Sequence, residues 1–547
     1  MAVSETETET KYEAGPETAL PRLDTLPNVT AARGSDEQRL VAEYYDTADL
    51  RLLDAGITLR RRTGGGDAGW HLKLPVAPGS REEIRLPPGR AGGRVPAELA
   101  DLVRARTRGA PLIPVATITT LRRVTTLAGQ RGESLAEVAD DSVRAVSLLA
   151  GVPATDTAQA GTGPADTVLS DTGLSDTGLS DTAPSHPGLS DTGPATEWRE
   201  IEVELTGGDD ALLAAADSLL RHSGLRRSGR SAKLENVLGT RQPRRVGPAR
   251  LTPSASAGEV IGSYLRSQAE QLKLLDPRVR RAEPDSVHQM RVASRRLRSA
   301  LRSFGAVISR PQTDHAAAEL KWLGSVLGEA RDAEVQAERL DEQVRQTGVE
   351  ELLGPVQSRV QAHGAKVRAA SLKAVSAALK SQRYYSLLDE LDELTADIPA
   401  GPAAAESARR ALPAAVARSY RKTRRRMRTA LKVPAGAPRE VALHDARKAA
   451  KQARYAAEAV APVLGRDAAR FGKRMKKLQT VLGDHQDTVV GRQLARRLGV
   501  SAQLAGESAF SYGLFYGRDA CEGARLQATA ANVWREASRG RYRRWLR

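Results

Sequence analysis

Over residues 1–150, apolar and polar positions alternate in short runs broken by Gly and Pro, the period of two that predicts β-strands. The same texture returns at Trp198–Leu205, and a short helical pattern follows at Asp210–His222. Between them, residues 151–197 are low in complexity: the unit Leu169-Ser170-Asp171-Thr172-Gly173 recurs at once as Leu174-Ser175-Asp176-Thr177-Gly178. Such a segment cannot bury enough apolar surface to order itself, so a disordered insertion in a loop between two strands is expected. Residues 241–256, with Pro243, Pro248 and Pro253, predict a linker. From Ala257 to the end the apolar period becomes helical, in long Ala-, Leu- and Arg-rich stretches. The chain therefore reads as α+β in two domains, 1–240 built on strands and 257–547 all helical.

The polar faces of the predicted strands carry charge of both signs. Residues two apart share a face of a strand. Glu200, Glu202 and Glu204 lie opposite Ile201, Val203 and Leu205, and Glu5, Glu7, Glu9 and Lys11 share one face. Arg60 pairs with Arg62, His71 with Lys73, and Arg81 with Glu83 and Arg85. One such strand fits a sheet with a wet face. Five of them predict a closed antiparallel barrel with the charges inside, as a tunnel. Carboxylates there would hold Mg²⁺ or Mn²⁺ through oxygen, and Arg and Lys would grip phosphate oxygens. Inward charges of like sign would be costly without such guests.

Charge separates the halves. The net charge is +17, yet residues 257–547 hold 53 Lys and Arg against 31 Asp and Glu, which leaves 1–256 slightly acidic. An excess of that size favours a polyanionic partner. Aromatic residues make up 4% of the chain, too few for a base-stacking platform, and no nucleic-acid reader motif appears, so nucleic acid is not expected as the partner. One cysteine, Cys521, precludes an internal disulfide and fits a reducing cytoplasm. No signal peptide and no apolar run of membrane-spanning length is read in the sequence, so no membrane partner is expected.

The run Glu7-Thr8-Glu9-Thr10-Lys11 matches the ExExK signature of the CYTH domain, the triphosphate tunnel fold. Tyr44-Tyr45-Asp46-Thr47, Leu59-Arg60-Arg61-Arg62, Leu72-Lys73-Leu74, Arg81-Glu82-Glu83, Arg122-Arg123, Asp140-Asp141, Glu202-Val203-Glu204 and Ser231-Ala232-Lys233 follow in the order that family shows. Residues 1–240 thus resemble a CYTH domain, which implies metal-dependent hydrolysis of a triphosphate compound. The resemblance implies Glu7, Glu9 and Lys11 as the catalytic group, with Glu7, Glu9, Glu202 and Glu204 as metal ligands. It implies Arg60, Arg62, Lys73, Arg123 and Lys233 as substrate contacts. The alternation over Thr117–Leu127 leaves Arg122 competing with Arg123, and Asp140 likewise with Asp141.

The helical half repeats itself. His288, Arg291, Arg295 and Arg298 align with His444, Arg447, Lys451 and Arg454, and Leu320–Gly328 followed by Asp332 aligns with Met475–Gly483 followed by Asp487. Two repeats, about 257–400 and 401–547, are expected to pack about a pseudo-twofold axis. Helical spacing puts each set of four on one basic stripe, with Lys448 beside the second. No acidic residue lies between His288 and Arg310, so the first stripe would repel itself unless an anion occupied it. Two facing stripes would make a cationic channel for a linear polyanion. The run Arg418–Lys432 is a candidate auxiliary contact. This half resembles the CHAD domain, the conserved histidine α-helical domain, which implies a helical bundle that binds inorganic polyphosphate.

Together these readings predict a cytoplasmic triphosphatase that binds polyphosphate, on polyphosphate granules. The competing expectation is a non-catalytic polyphosphate-binding protein whose tunnel senses phosphate.

Overall fold

Eight antiparallel strands close on themselves in the computed structural model of this chain, which describes residues 3–77, 80–89, 94–149, 195–230, 232–239, 251–252 and 254–546. The chain divides into two compact units, Met1–Arg245 and Val246–Arg547.

In the first unit the strands are β1 (Val3–Ala14), β2 (Ala31–Gly34), β3 (Gln38–Asp46), β4 (Thr58–Thr63), β5 (Gly69–Ala77) and β6 (Ser80–Leu86), then β7 (Ile113–Ala128), β8 (Ser134–Ser147), β9 (Ala195–Leu205) and β10 (Arg226–Arg227). The order around the barrel is β1-β6-β5-β4-β3-β7-β8-β9, and β9 returns to β1 with Glu204 opposite Glu9. The two remaining short strands pair outside this ring, β2 with β7 and β10 with β1. The expected insertion starts at 151, but its last three residues, 195–197, already belong to β9. Residues 150–194 lie outside the described residues, as do Ser231 and most of the expected linker, 240–250 and 253.

The alternation works inside out. Ile201 and Val203 face outward from β9 and are buried under Leu212, Ala216 and Leu220 of α4 (Asp210–His222), the helix expected at that position. Leu59, Leu72 and Ile84 face outward likewise and pack beneath Leu52, Leu99 and Leu102. These last come from α1 (Arg51–Asp54) and α2 (Ala97–Leu102), which α3 (Arg104–Thr107) follows. The apolar faces are thus spent on the outer helices, and the charged faces are left to line the interior. One stretch of the inner wall is apolar: Tyr44, Ile118, Val143 and Ala145 pack with Leu234, Val237 and Leu238 of α5 (Leu234–Leu238). That packing places Lys233, the residue before α5, at the charged part of the wall.

The second unit is helical. Its helices are α6 (Ala257–Arg280), α7 (Ser286–Ser303), α8 (Asp314–Arg345), α9 (Val356–Leu379), α10 (Gln382–Ala396), α11 (Ala408–Lys432), α12 (Ala437–Leu504) and α13 (Phe510–Ala537). The helical period seen from Ala257 onward begins at a capping box, with the Ser256 hydroxyl on the Glu259 amide and the Glu259 carboxylate returning to Ser256. At Gly465, φ 69° and ψ −147° break α12 into two arms. The arms fold back on each other: a Cβ at Gly472 would lie 3.7 Å from Ala457, and one at Gly483 would lie 3.1 Å from Arg447. The starts of α6 and α11 are tied reciprocally, the Ala257 amide donating to the Glu406 carbonyl and the Ala408 amide to the Ala255 carbonyl.

Candidate functional sites: a charged tunnel and a basic channel

Strand alternation gathers the charges of the first unit around a cavity of about 600 Å³. Glu7, Glu9 and Lys11 reach it from β1, Arg60 and Arg62 from β4, Lys73 from β5, Glu83 from β6, and Glu202 and Glu204 from β9. Here two neighbourhoods differ in charge balance.

Around Glu202, cations saturate the carboxylates. Glu202 meets Lys11, Arg122 at 2.6 Å and Lys233 at 2.8 Å. Burial opposes its ionisation, but Lys11, Lys233 and Arg122 outweigh burial and hold its pKa well below the usual carboxylate range. Asp141, Glu200 and Glu202 converge closely enough to ligate a metal ion. The Lys233 ammonium already lies 2.9, 2.6 and 2.8 Å from the three, so a resident cation fills that trio.

Around Glu204 the balance reverses. Burial, together with Glu7, Glu9 and Glu202, pushes its carboxyl up to about 7. Burial, with Glu83 adding, also raises Glu7 despite Lys73 at 2.5 Å. Glu9 differs: its burial is outweighed by Lys11, 3.5 Å away, and the other cations nearby, which lower its pKa. Carboxylates crowded enough to resist ionisation, as Glu7 and Glu204 are, suit a hard divalent cation with oxygen ligands, and Glu9 is the ionised carboxylate beside them.

Of the candidate phosphate contacts, Arg60, Arg62, Lys73 and Lys233 line the cavity. Arg60 donates to the Tyr44 hydroxyl at 3.3 Å and lies 3.9 Å from Glu83. Arg62 pairs with Asp67, yet burial and the adjacent Arg60 bring its pKa down to about 10. It remains a cation at neutral pH, and an anion entering there would relieve the repulsion from Arg60.

Arg123 is a correction. It points away from the tunnel, its side chain is 70% exposed, and it pairs with Glu37 at 3.1 Å. Arg122 takes the inner position, because even-numbered residues of β7 (Arg122, Val124, Thr126) line the cavity. Asp141 faces inward beside Arg122, while Asp140 pairs with Arg199 at 2.8 Å. Tyr44 and Asp67 also line the tunnel and had been assigned no role from sequence. Inward parity on β3 is a signal for Tyr44, whereas Asp67 sits in the turn between β4 and β5, where alternation gives none.

In the second unit, a cavity of about 330 Å³ is lined by Arg295, Arg298, Arg302, Lys422, Arg426 and Lys451, with Asp445 as an acidic neighbour. Burial, then Arg295, Arg447 and Arg291, pushes Lys451 down to about 6. Burial likewise lowers His288 and His444, and the Nδ1 atoms of both are buried without a partner. The stripes are not wholly unpaired. Arg291 meets Asp332 at 2.9 Å, and Arg454 meets Glu458 at 2.5 Å and Gln479 at 3.1 Å. Lys448 is mostly exposed and lies 3.5 Å from Asp445. Of the run on α11, Lys422 and Arg426 reach the cavity, whereas Arg421, Arg424, Arg425 and Arg428 are exposed. Arg302 extends the first stripe by four residues and had not been foreseen, although its spacing from Arg298 was a usable signal. The two halves show one shared contact: a Cβ at Gly328 would lie 3.2 Å from Arg291, as one at Gly483 would from Arg447 at 3.1 Å.

Comparison with known proteins follows the same division. Residues 5–232 match the CYTH domain family and residues 263–496 match the CHAD domain family. An uncharacterized protein of Mycobacterium tuberculosis is 36% identical over 534 residues, 96% of this chain and 95% of that protein. A solved CHAD domain from the plant Ricinus communis shares 26% identity over 52% of this chain and 93% of its own, with a TM-score of 0.41. PptA from Streptomyces chartreusis shares 18% identity over 51% of this chain and 100% of its own, with a TM-score of 0.45. No helix among the described residues is long and apolar enough to cross a membrane.

Proposed function

The chain belongs to the family of proteins that join a CYTH domain to a CHAD domain, and from that premise we propose that its tunnel hydrolyses a triphosphate while its helical unit binds inorganic polyphosphate. The observation that carries the reading is the division inside the tunnel, with carboxylates short of cations around Glu204 and a ring of cations beside them.

In this reading Glu7, Glu9 and Glu204 hold the divalent ion, Mg²⁺ or Mn²⁺, and Glu202 keeps Lys11, Arg122 and Lys233 aimed inward. A bound divalent ion would screen the phosphate charge and make a bound water more acidic. Arg60, Arg62, Lys73 and Arg122 grip the phosphate oxygens and hold the chain in line for attack. Packing of α5 against the apolar part of the inner wall limits the depth to which a substrate can thread, which suits a short triphosphate or the end of a longer chain.

In the helical unit, Arg295, Arg298, Arg302 and Lys451, with His288 and His444, bind the polyanion, and two repeats supply the two sides of the channel. The shared Gly–Arg contacts and the reciprocal bonds at the starts of α6 and α11 support that repeat. Polyphosphate bound there would keep substrate near the enzyme or hold the protein on granules.

Phosphate release from tripolyphosphate, thiamine triphosphate and ATP, each with Mg²⁺, Mn²⁺ or EDTA, tests this. Release that EDTA stops is the expected result. No release by protein that still retains polyphosphate would replace hydrolysis with phosphate sensing, a role to which the ion pairs already filling the tunnel are suited.

A further inference from the structure

One buried titratable group in the tunnel wall has no part in the scheme above. His71, on β5, is 1% exposed and has acceptors at both ring nitrogens. Its Nε2 lies 2.8 Å from the Asp67 carbonyl oxygen, and its Nδ1 lies 3.0 Å from a carboxylate oxygen of Glu83. A carbonyl oxygen only accepts, so Nε2 carries a hydrogen. Glu83 is ionised: three cations, Arg85, Lys73 and Arg60, surround its carboxylate independently of the ring. An ionised carboxylate also only accepts, so Nδ1 carries a hydrogen too. A ring that donates from both nitrogens is an imidazolium.

Glu83 is the hub that this ring holds. It too is 1% exposed, and its carboxylate pairs with Arg85 and lies 3.7 Å from Lys73 and 3.9 Å from Arg60. The charged groups around the ring are therefore Glu83 and Arg85 on β6, Arg60 on β4, Lys73 on β5 and Asp67 in the β4–β5 turn. A carboxylate with no partner but these cations would follow them when phosphate draws them away. The ring, tethered to the backbone at Asp67, gives it a fixed partner.

We infer that His71 is a positioning residue for triphosphate: as a doubly donating ring it pins Glu83, and Glu83 sets Arg60 and Lys73 at the spacing that receives the phosphates. The inference rests on the triphosphate reading of this tunnel.

The test uses the full-length protein and three variants. Asn places a neutral donor where Nδ1 stands, Gln places one where Nε2 stands, and Phe has neither. Tripolyphosphate affinity is measured by calorimetry with Mg²⁺ present, alongside KM and kcat where there is turnover. His71→Asn should stay within about threefold of wild type, while His71→Gln and His71→Phe should bind about tenfold more weakly, with KM moving and kcat largely kept. Equal affinity in all four proteins, or a loss in Gln and Phe matched by an equal loss in Asn, would overturn the inference. Nitrogen NMR of the labelled ring checks the premise without any ligand: both nitrogens should carry a hydrogen, and a bare nitrogen overturns it. If the wild type binds tripolyphosphate but releases no phosphate, the hydrolysis reading fails while the affinity series still decides on His71.

Discussion

The tunnel and the channel are both lined by cations, but they solve the problem of their own charge in opposite ways. In the tunnel nearly every cation has a carboxylate: Lys73 with Glu7, Lys233 with Asp141, Glu200 and Glu202, Arg62 with Asp67. The lining of the channel offers Asp445 against seven cations, Arg295, Arg298, Arg302, Lys422, Arg426, Lys448 and Lys451. The tunnel can thus fold and stay charged with nothing inside, and its substrate has to displace ion pairs. The channel instead relieves its self-repulsion by losing protons, as Lys451 shows. In the proposed function, a pre-neutralised site would be selective, and a bound metal would free its cations. A frustrated site is avid for any polyanion that fits.

If this contrast is right, breaking the acidic side should matter only in the tunnel. Glu9→Gln should lower metal-dependent triphosphate hydrolysis by about 100-fold or more, since one member of the ion-holding set is lost. Polyphosphate retention by the same variant should be unchanged, read by filter binding beside the phosphate-release assay. Loss of both activities would mean that the two sites do not act separately.

Breaking the basic side should matter only in the channel. Arg295 and Arg298 have no carboxylate partner among the described residues, so removing both leaves no buried acid orphaned. Arg295→Ala with Arg298→Ala should weaken polyphosphate binding about tenfold or more, and the dependence on salt should become shallower. Tripolyphosphate turnover should stay at the wild-type level. An unchanged salt dependence would place the polyanion elsewhere on this unit.

Proton linkage sharpens the same comparison with a smaller effect. Free Lys451 titrates near about 6, and a polyanion beside it favours the charged form, so binding above that pH takes up a proton. Affinity should therefore fall as pH rises from about 6. Calorimetry in two buffers of different ionisation heat reads the uptake directly, and Lys451→Met should remove it. Without ligand the sign is opposite for stability. The unfolded chain holds more protons than the fold between about 6 and 10, so the free protein gains stability as pH rises through that window. Below about 6, Lys451 is charged in both states and costs most. There Lys451→Met should raise the Tm by about 2–4 °C. A heat of binding independent of buffer would show that Lys451 keeps its charge in the empty channel.

What could be seen in the sequence follows from how each site is built. The inward faces of β1, β4, β5 and β9 were legible because charge alternates there without interruption, as in Glu200, Glu202 and Glu204 against Ile201 and Val203. The stripes on α7 and α12 were legible because two copies could be laid against each other. Pairings between distant residues were not legible. Nothing local to Arg454 announces that Gln479 meets it from the returning arm of α12, and nothing near Lys233 foretells its seat among three carboxylates on β8 and β9. Parity failed where two charged residues are adjacent, since Arg122 and Arg123 offer one cation to each face and the surrounding threonines suit either.

That adjacency supplies the smallest and cleanest test of the tunnel geometry. Arg123 is exposed, beyond the reach of the cavity, and its pair with Glu37 is a surface contact of little consequence. Arg123→Ala should leave KM and kcat for tripolyphosphate within about twofold of wild type. Arg122 lies against Asp141 and Glu202, so Arg122→Ala removes a cation from the wall and leaves two buried carboxylates sharing Lys233. It should cost both substrate affinity and stability. Because the two residues differ by one step along β7, any error in the register of that strand would exchange their phenotypes. A strong loss in Arg123→Ala with a silent Arg122→Ala would turn β7 inside out and, with it, the assignment of Asp141 over Asp140.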